Sequence, residues 1–264
     1  MPELAEVEWY RKEWDPGLGE KIVAVEFHAA KRVFRETDTH QIRQCLVGQD
    51  FVHSVARGKR MLFRFAKNHW LGIHLGMTGS LRTEPARFAP TKHDHLVLWQ
   101  STRALVFRDA RQFGRIRFHR GSDAPDWWRS DVPEISEGRF NSVFLGNFLE
   151  RHRKAPIKAV LLLQNGFSGI GNWMADEILW RAGIRPARLT GKLTARERAS
   201  LLRETKFVAK QSLAKVGLDD SDLPRGWLIH QRWSKGGVCP KHNTLLRRAT
   251  IGGRTTAWCP KCQR

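Results

Sequence analysis

Cys239-Pro-Lys-His242-Asn-Thr-Leu-Leu-Arg-Arg-Ala-Thr-Ile251-Gly-Gly-Arg254-Thr-Thr-Ala-Trp258-Cys259-Pro-Lys-Cys262 decides how the carboxyl-terminal part of the chain folds. Its ligand-type residues follow the pattern C-x2-H, sixteen residues, C-x2-C, and include three of the chain's four cysteines. A two-residue gap lets one tight turn aim both flanking side chains at a single ion, and zinc takes four tetrahedral sulfur or nitrogen ligands. Gly252-Gly253 lies midway between the pairs, so residues 244–251 and 254–258 are expected to form a β-hairpin clamped by metal at its open end. Four protein ligands leave no open coordination position, which makes such a zinc structural and not catalytic. The alternative is a disulfide beside an unrelated His and Cys. It needs an oxidising compartment, and no secretory signal points to one.

Outward from the hairpin, residues 223–264 carry nine Lys and Arg and no Asp or Glu, with Arg247, Arg248 and Arg254 around the proposed turn. A purely cationic, metal-braced hairpin suits phosphate contact, whereas a merely solvated face mixes both signs. The whole chain agrees: 46 Lys and Arg stand against 26 Asp and Glu, for a formal charge of +20. Such an excess favours a polyanionic partner. A membrane role is not expected, because no apolar run approaches the roughly 18 residues of a spanning helix. The chain has no repeat, low-complexity tract or targeting peptide, so a reducing compartment such as the bacterial cytoplasm is the expected location.

Residues 121–139 interrupt the basic chain with Asp123, Asp126, Asp131, Glu134, Glu137 and two prolines, and read as a connector. Before them the pattern is strand-like. Met61, Phe63 and Phe65 alternate with Arg60 and Arg64, and Ile116 and Phe118 alternate with Arg115, Arg117 and His119. Short apolar runs at 97–99 and 104–107 add strands, and their sum is a β-sandwich or barrel. After the connector the period becomes helical. Pro156 fits a first helical turn leading into Ile157, Val160 and Leu161. Residues 173–182 form a helix stopped by Gly183, and Thr194 with Glu197 makes a capping box for a helix to about Val216. The turn 165–172, with Gly166, Gly169 and Gly171, offers backbone N–H groups suited to a phosphate; an ordinary helical hairpin is the alternative.

Met1-Pro-Glu-Leu-Ala-Glu-Val-Glu8, Gly58-Lys59, His74-Leu-Gly-Met-Thr-Gly-Ser80, Asp109-Ala-Arg-Gln-Phe-Gly114, Gly169-Ile-Gly-Asn-Trp-Met-Ala-Asp-Glu177 and the terminal metal pattern occur in this order. As an ordered set they resemble the formamidopyrimidine-DNA glycosylase and endonuclease VIII family over nearly the full length. The resemblance implies an α+β chain with an amino-terminal β-sandwich (1–120), the connector (121–139), a helix–two-turn–helix domain (140–222) and a zinc finger (223–264). It implies a monomeric base-excision-repair enzyme acting on damaged double-stranded DNA, with glycosylase and AP lyase activities.

The resemblance further implies loss of Met1, leaving Pro2 as a terminal secondary amine. Such an amine has a reference pKa near 8 and is partly free base at neutral pH. It can attack the sugar C1′, expel the base and form an iminium ion, after which β- and δ-elimination cut the strand. Glu3 is implied as general acid/base and Glu6 as the second carboxylate, orienting the amine. On their residues alone, both acids cap a helix whose apolar face holds Leu4, Val7 and Trp14. Lys59, His74, Asn172 and Arg254 are implied phosphate contacts. Met77, Arg111 and Phe113 match the side chains that fill the gap left by an extruded nucleotide.

The chain departs from the family pattern at Ala5, Gln112, Trp173-Met174 and His242, which stand where proline, arginine, Ile-Tyr and cysteine are usual. The segment 217–238 looks too short for a loop that closes over 8-oxoguanine, and carries Asp219, Asp220, Asp222, Trp227 and Trp233. Oxidised pyrimidines, ring-opened purines, abasic sites and an unusual bulky adduct all remain open as substrates. A damaged-DNA-binding protein without catalysis and a zinc-finger transcription regulator are the rival readings.

Overall fold

The structure is a computed structural model that describes residues 2–129 and 131–264. Met1, with its expected removal, and Ser130 lie outside the described residues. The chain forms two units, Pro2 with Glu6–Asp131, and Glu3–Ala5 with Val132–Arg264.

The first unit contains most of α1 (Leu4–Lys12), α2 (Thr39–Leu46) and eight strands in two antiparallel sheets. One sheet has the order β1 (Ala24–Phe27), β6 (Asp94–Trp99), β7 (Arg103–Arg108), β5 (Ser80–Pro85). The other runs β2 (Phe51–Arg57), β3 (Arg60–Phe65), β4 (His69–His74), β8 (Arg115–Arg120). The alternation in the sequence is the cause. Met61, Phe63 and Phe65 of β3, Leu71 and Ile73 of β4 and Ile116 of β8 enter one core with Leu96, Leu98, Leu105 and Phe107 of the facing sheet. Each large side chain so buried contributes roughly 1.5–3 kcal/mol. Arg60, Arg64, Arg115 and Arg117 are left on the opposite face, half-buried. The expected sandwich is therefore present, with Val7 and Trp14 packed into its core.

In the second unit, α3 (Ser142–Arg151), α4 (Ile157–Leu161), α5 (Asn172–Ala182), α6 (Ala195–Asp219) and α7 (Ile229–Arg232) precede the hairpin β9 (Arg247–Ile251) and β10 (Arg254–Trp258). Ile157, Val160, Leu161, Ile178 and Leu179 are buried together, as their helical spacing predicts. Thr194 and Glu197 form the reciprocal capping box, and Gly183 ends α5 in the left-handed conformation. Two details differ from expectation. Pro156 caps α4 from outside and does not enter its first turn, and α6 continues past Val216 to Asp219. Ile251 pairs with Arg254, so Gly252 and Gly253 form a two-residue turn with φ of +61° and +70°. Two positive φ values in succession are what a tight hairpin turn needs, and glycine adopts them without strain.

Candidate functional site

In the first unit, Pro2, Glu6 and Tyr10 recur every fourth residue and share one side of the chain's start. With Met77, Thr78 and Gly79 they line a pocket of about 270 Å³. Met77 belongs to the loop after β4, and Arg111 and Phe113 to the loop after β7. Asp109, fully buried, clasps the two loops together. Its carboxylate accepts from Thr78 Oγ1 at 2.6 Å, Gly114 N at 2.6 Å and Arg111 N at 3.2 Å. Beside the clasp, Met77 is 37% and Phe113 39% exposed. The Arg111 guanidinium lies 4.6 Å from the Phe113 ring centre. Gln112, at the position where an arginine is usual, has φ +54° and accepts from Arg32 N through Oε1.

His74 ends β4, and its Nδ1 accepts from Gly76 N at 3.0 Å. Burial first, then the charges of Lys59, Arg115, Arg60 and Arg35, push its pKa down to about 4. The ring is therefore neutral near pH 7, with its proton on Nε2 as a donor. Lys59 sits half-buried in the turn between β2 and β3.

In the second unit, Glu3 is 2% exposed. Its carboxylate accepts from the backbone N–H groups of Gly171, Trp173 and Met174 at 3.0, 3.0 and 3.1 Å. It thus caps α5, where the helix dipole favours an anion, a partner that local sequence rules do not reach. This also corrects the expectation that these N–H groups await a phosphate: Glu3 already occupies them.

One face of α5 then organises the hairpin through residues spaced four apart. Asn172 Nδ2 donates to Thr255 O at 3.0 Å. Asp176 Oδ2 accepts from Ala257 N at 3.1 Å. Trp180 Nε1 donates to Cys239 Sγ at 3.2 Å. Four helical residues rise about 6 Å and two strand residues about 6.6 Å, so Asn172 and Asp176 meet Thr255 and Ala257 in step. Arg254, the first residue of β10, is exposed. Asp176 is also the centre of a buried ion triad, bonded to Lys158 Nζ at 2.5 Å and to Arg232 Nη2 at 2.7 Å. Sequence reading missed Asp176, Lys158, Arg232 and the Asp109 clasp. The available signal was a charged residue inside an otherwise apolar helical stretch.

Cys239, His242, Cys259 and Cys262 bring their ligand atoms within 4.8 Å of one another. Nδ1 of His242 lies 3.5 Å from Cys239 Sγ and 3.9 Å from Cys259 Sγ. A tetrahedron with metal–sulfur bonds of about 2.3 Å needs edges of roughly that length. All three cysteines are free thiols, not disulfides. Burial drives Cys239 up, but hydrogen bonds from Trp180 and His242 bring it down to about 6. Burial, then the neighbouring Cys259 and Cys239, push Cys262 up to about 12. Three thiols so close cannot all ionise without a cation among them, so the donor set fits a divalent metal.

Between α6 and the hairpin, Leu223, Trp227 and Leu228 are buried, with Arg181 4.4 Å from the Trp227 ring centre, while Trp233 is 65% exposed. Leu223 and Trp227 anchor this segment to the helical core, and much of the rest of it is exposed.

Two family models match the chain: the formamidopyrimidine-DNA glycosylase N-terminal domain over residues 1–116 and the H2TH domain of the same enzyme over residues 133–221. The formamidopyrimidine-DNA glycosylase of Roseiflexus sp. is 34% identical over 100% of both chains. That of Pelotomaculum thermopropionicum is 32% identical over 100% of this chain and 99% of its own. Among solved structures, the wild-type Lactococcus lactis enzyme in complex with N7-benzyl-Fapy-dG-containing DNA superposes with a TM-score of 0.89 at 26% identity, over 100% of both chains. The complex of that enzyme with an oxidised-pyrimidine-containing DNA gives 0.87 at 27% identity, again over 100% of both. Fold and site thus define a DNA glycosylase of base-excision repair. The chain belongs to the formamidopyrimidine-DNA glycosylase family.

Proposed function

We propose that this chain removes oxidised or ring-opened bases from damaged double-stranded DNA and then cuts the strand, with Pro2 as the nucleophile. The observation that carries this reading is the pocket in which Pro2 meets Glu6 and the Met77 loop. Once Met1 is removed, the Pro2 amine attacks C1′ of the damaged nucleotide, the base departs with a proton, and a protein–sugar iminium forms. The iminium acidifies the C2′ proton; its loss expels the 3′ phosphate by β-elimination, and δ-elimination then releases the 5′ phosphate.

In this reading Glu3 moves protons at the sugar, Glu6 orients the amine, and Lys59, His74, Asn172 and Arg254 hold phosphates. The neutral ring of His74 suits donation from Nε2 to a phosphate oxygen. Met77, Arg111 and Phe113 fill the space of the extruded nucleotide: two apolar tips replace lost stacking, and the guanidinium donates to the orphaned base. Cys239, His242, Cys259 and Cys262 hold one structural zinc. Residues 1–120, 140–222 and 223–264 act as catalytic, helix–two-turn–helix and zinc-finger domains around the connector 121–139. The protein works as a monomer in the bacterial cytoplasm. Among the described residues no helix is long and apolar enough to cross a membrane.

The test is borohydride trapping on lesion-containing duplex DNA. The native protein is expected to become covalently linked, and Pro2→Gly to fall to background. Undiminished trapping in Pro2→Gly would move the nucleophile to a lysine. Tight binding to abasic DNA without cleavage by the native protein would favour a binding protein over an enzyme.

A further inference from the structure

Of the eleven tryptophans in the chain, Trp233 is the one that stands exposed among the described residues, at 65%. Trp227 of the same segment is 4% exposed and packs in the helical core. An indole left in water forgoes the stabilisation that burying so large a ring supplies.

The backbone that carries Trp233 is nonetheless firmly held. Trp233 follows α7 as its C-terminal cap. The carbonyls on either side of it, those of Arg232 and Ser234, both accept from Nη2 of Arg248 on β9. Gly237 N closes the following turn onto Ser234 O at 3.0 Å, and Val238 N reaches Gln231 Oε1 at 3.3 Å. Arg232 is 2% exposed and is locked to Asp176 Oδ2 through Nε at 3.0 Å and Nη2 at 2.7 Å. Its guanidinium carbon lies over the Trp233 ring, 3.9 Å from the centre. The indole is thus an aromatic plate backed on one face by a buried cation and open on the other.

The surroundings say what such a plate takes. A patch built for a protein partner gathers apolar side chains around its aromatic residue. Trp233 is flanked in sequence by Arg232, Ser234, exposed Lys235 and Gly236, and residues 223–264 hold nine Lys and Arg with no Asp or Glu. A flat ring that carries phosphate answers both features, the ring on the open indole face and the phosphate among the cations. A base inside a duplex already has both faces covered by its neighbours. The plate therefore fits a base that is unpaired and unstacked.

We propose that Trp233 is a stacking platform for an unpaired base of a DNA strand, with Lys235 beside it for the strand's phosphates. The proposal rests on the reading of this chain as a DNA-binding enzyme, and not on Pro2 as the nucleophile.

Fluorescence anisotropy on the full-length protein tests it with three lesion-free DNAs: a fully paired duplex, a duplex with one bulged nucleotide, and a single strand. Trp233→Ala, with unchanged thermal unfolding, is expected to lose about tenfold or more in affinity for the bulged duplex, and less than about twofold for the paired one. Trp233→Phe keeps a ring and is expected to retain most of the native affinity. An equal loss on the single strand assigns any unpaired base, and a loss confined to the bulge assigns a base displaced from a duplex. In the native protein, 5-iodouracil placed as the bulged base is expected to crosslink to Trp233 on irradiation, a readout that needs no variant to fold. Unchanged affinity of Trp233→Ala for both unpaired probes overturns the proposal, as do equal losses on paired and bulged duplex or crosslinks only to other residues. Self-association abolished in Trp233→Ala, with DNA affinity unchanged, would make the ring a contact between copies and overturn it too. These failures leave borohydride trapping at Pro2 untouched, whereas native protein that binds none of the three DNAs would overturn the DNA reading as well.

Discussion

His74 shows how one side chain's surroundings set both its chemistry and its cost. Its Nδ1 is committed to Gly76 N, and burial among cations holds its pKa at about 4 against 6.5 in an unfolded chain. Between those values the unfolded state takes up a proton that the folded state refuses. The stability contributed by the neutral ring is therefore complete above pH 6.5 and is lost as pH falls toward 4. Denaturant unfolding at pH 7 and pH 4 is expected to show a loss of up to about 3 kcal/mol from this group, absent in His74→Gln. Glu3 teaches a different lesson about what can be read ahead of a structure. Capping rules look three or four residues along the chain, and by them Glu3 and Glu6 serve their own helix. The carboxylate of Glu3 caps a helix that begins at Asn172. No spacing rule reaches that far; only the ordered family motifs marked the residue.

At the scale of elements, α5 connects the features of the second unit. Its N-terminus receives Glu3, its middle bonds the hairpin through Asp176, and its end reaches the Cys239 sulfur through Trp180. Replacing Asp176 by Asn keeps the shape but leaves Lys158 and Arg232 buried without their counter-charge. Asp176→Asn is expected to destabilise the fold by roughly 3–5 kcal/mol in urea unfolding. A loss under about 1 kcal/mol would mean that the triad is not holding the hairpin. The strands and helices themselves were largely legible, since Met61, Phe63 and Phe65 alternate and Ile157, Val160 and Leu161 follow a helical period. The hairpin was legible too, because Gly252-Gly253 between ligand pairs admits few other folds. The ion triad was not: hydrophobic periodicity registers apolar positions, and Asp176 appears to it only as an interruption.

For the whole molecule, the excess of basic residues, 46 against 26, suits a protein that must approach a polyanion, and it predicts binding that weakens steeply with salt. The cluster that could hold a metal lies in the second unit, at Cys239, His242, Cys259 and Cys262. Elemental analysis is expected to find one zinc per chain. Chelation is expected to abolish duplex binding and lower the unfolding temperature, and added zinc to restore both; intact binding in metal-free protein would contradict a structural ion. The cluster was legible from its spacing, but the approach of His242 Nδ1 to Cys239 Sγ and the hydrogen bond from Trp180 were not, because both depend on packing.

The central claim, that Pro2 carries the chemistry, is tested most directly by reducing the protein–DNA adduct with borohydride, digesting it and locating the modified peptide by mass spectrometry. The expected result is a chain that begins at Pro2, with the sugar remnant on that residue's amine. An adduct on any lysine, or a trapped protein that retains Met1, would contradict it.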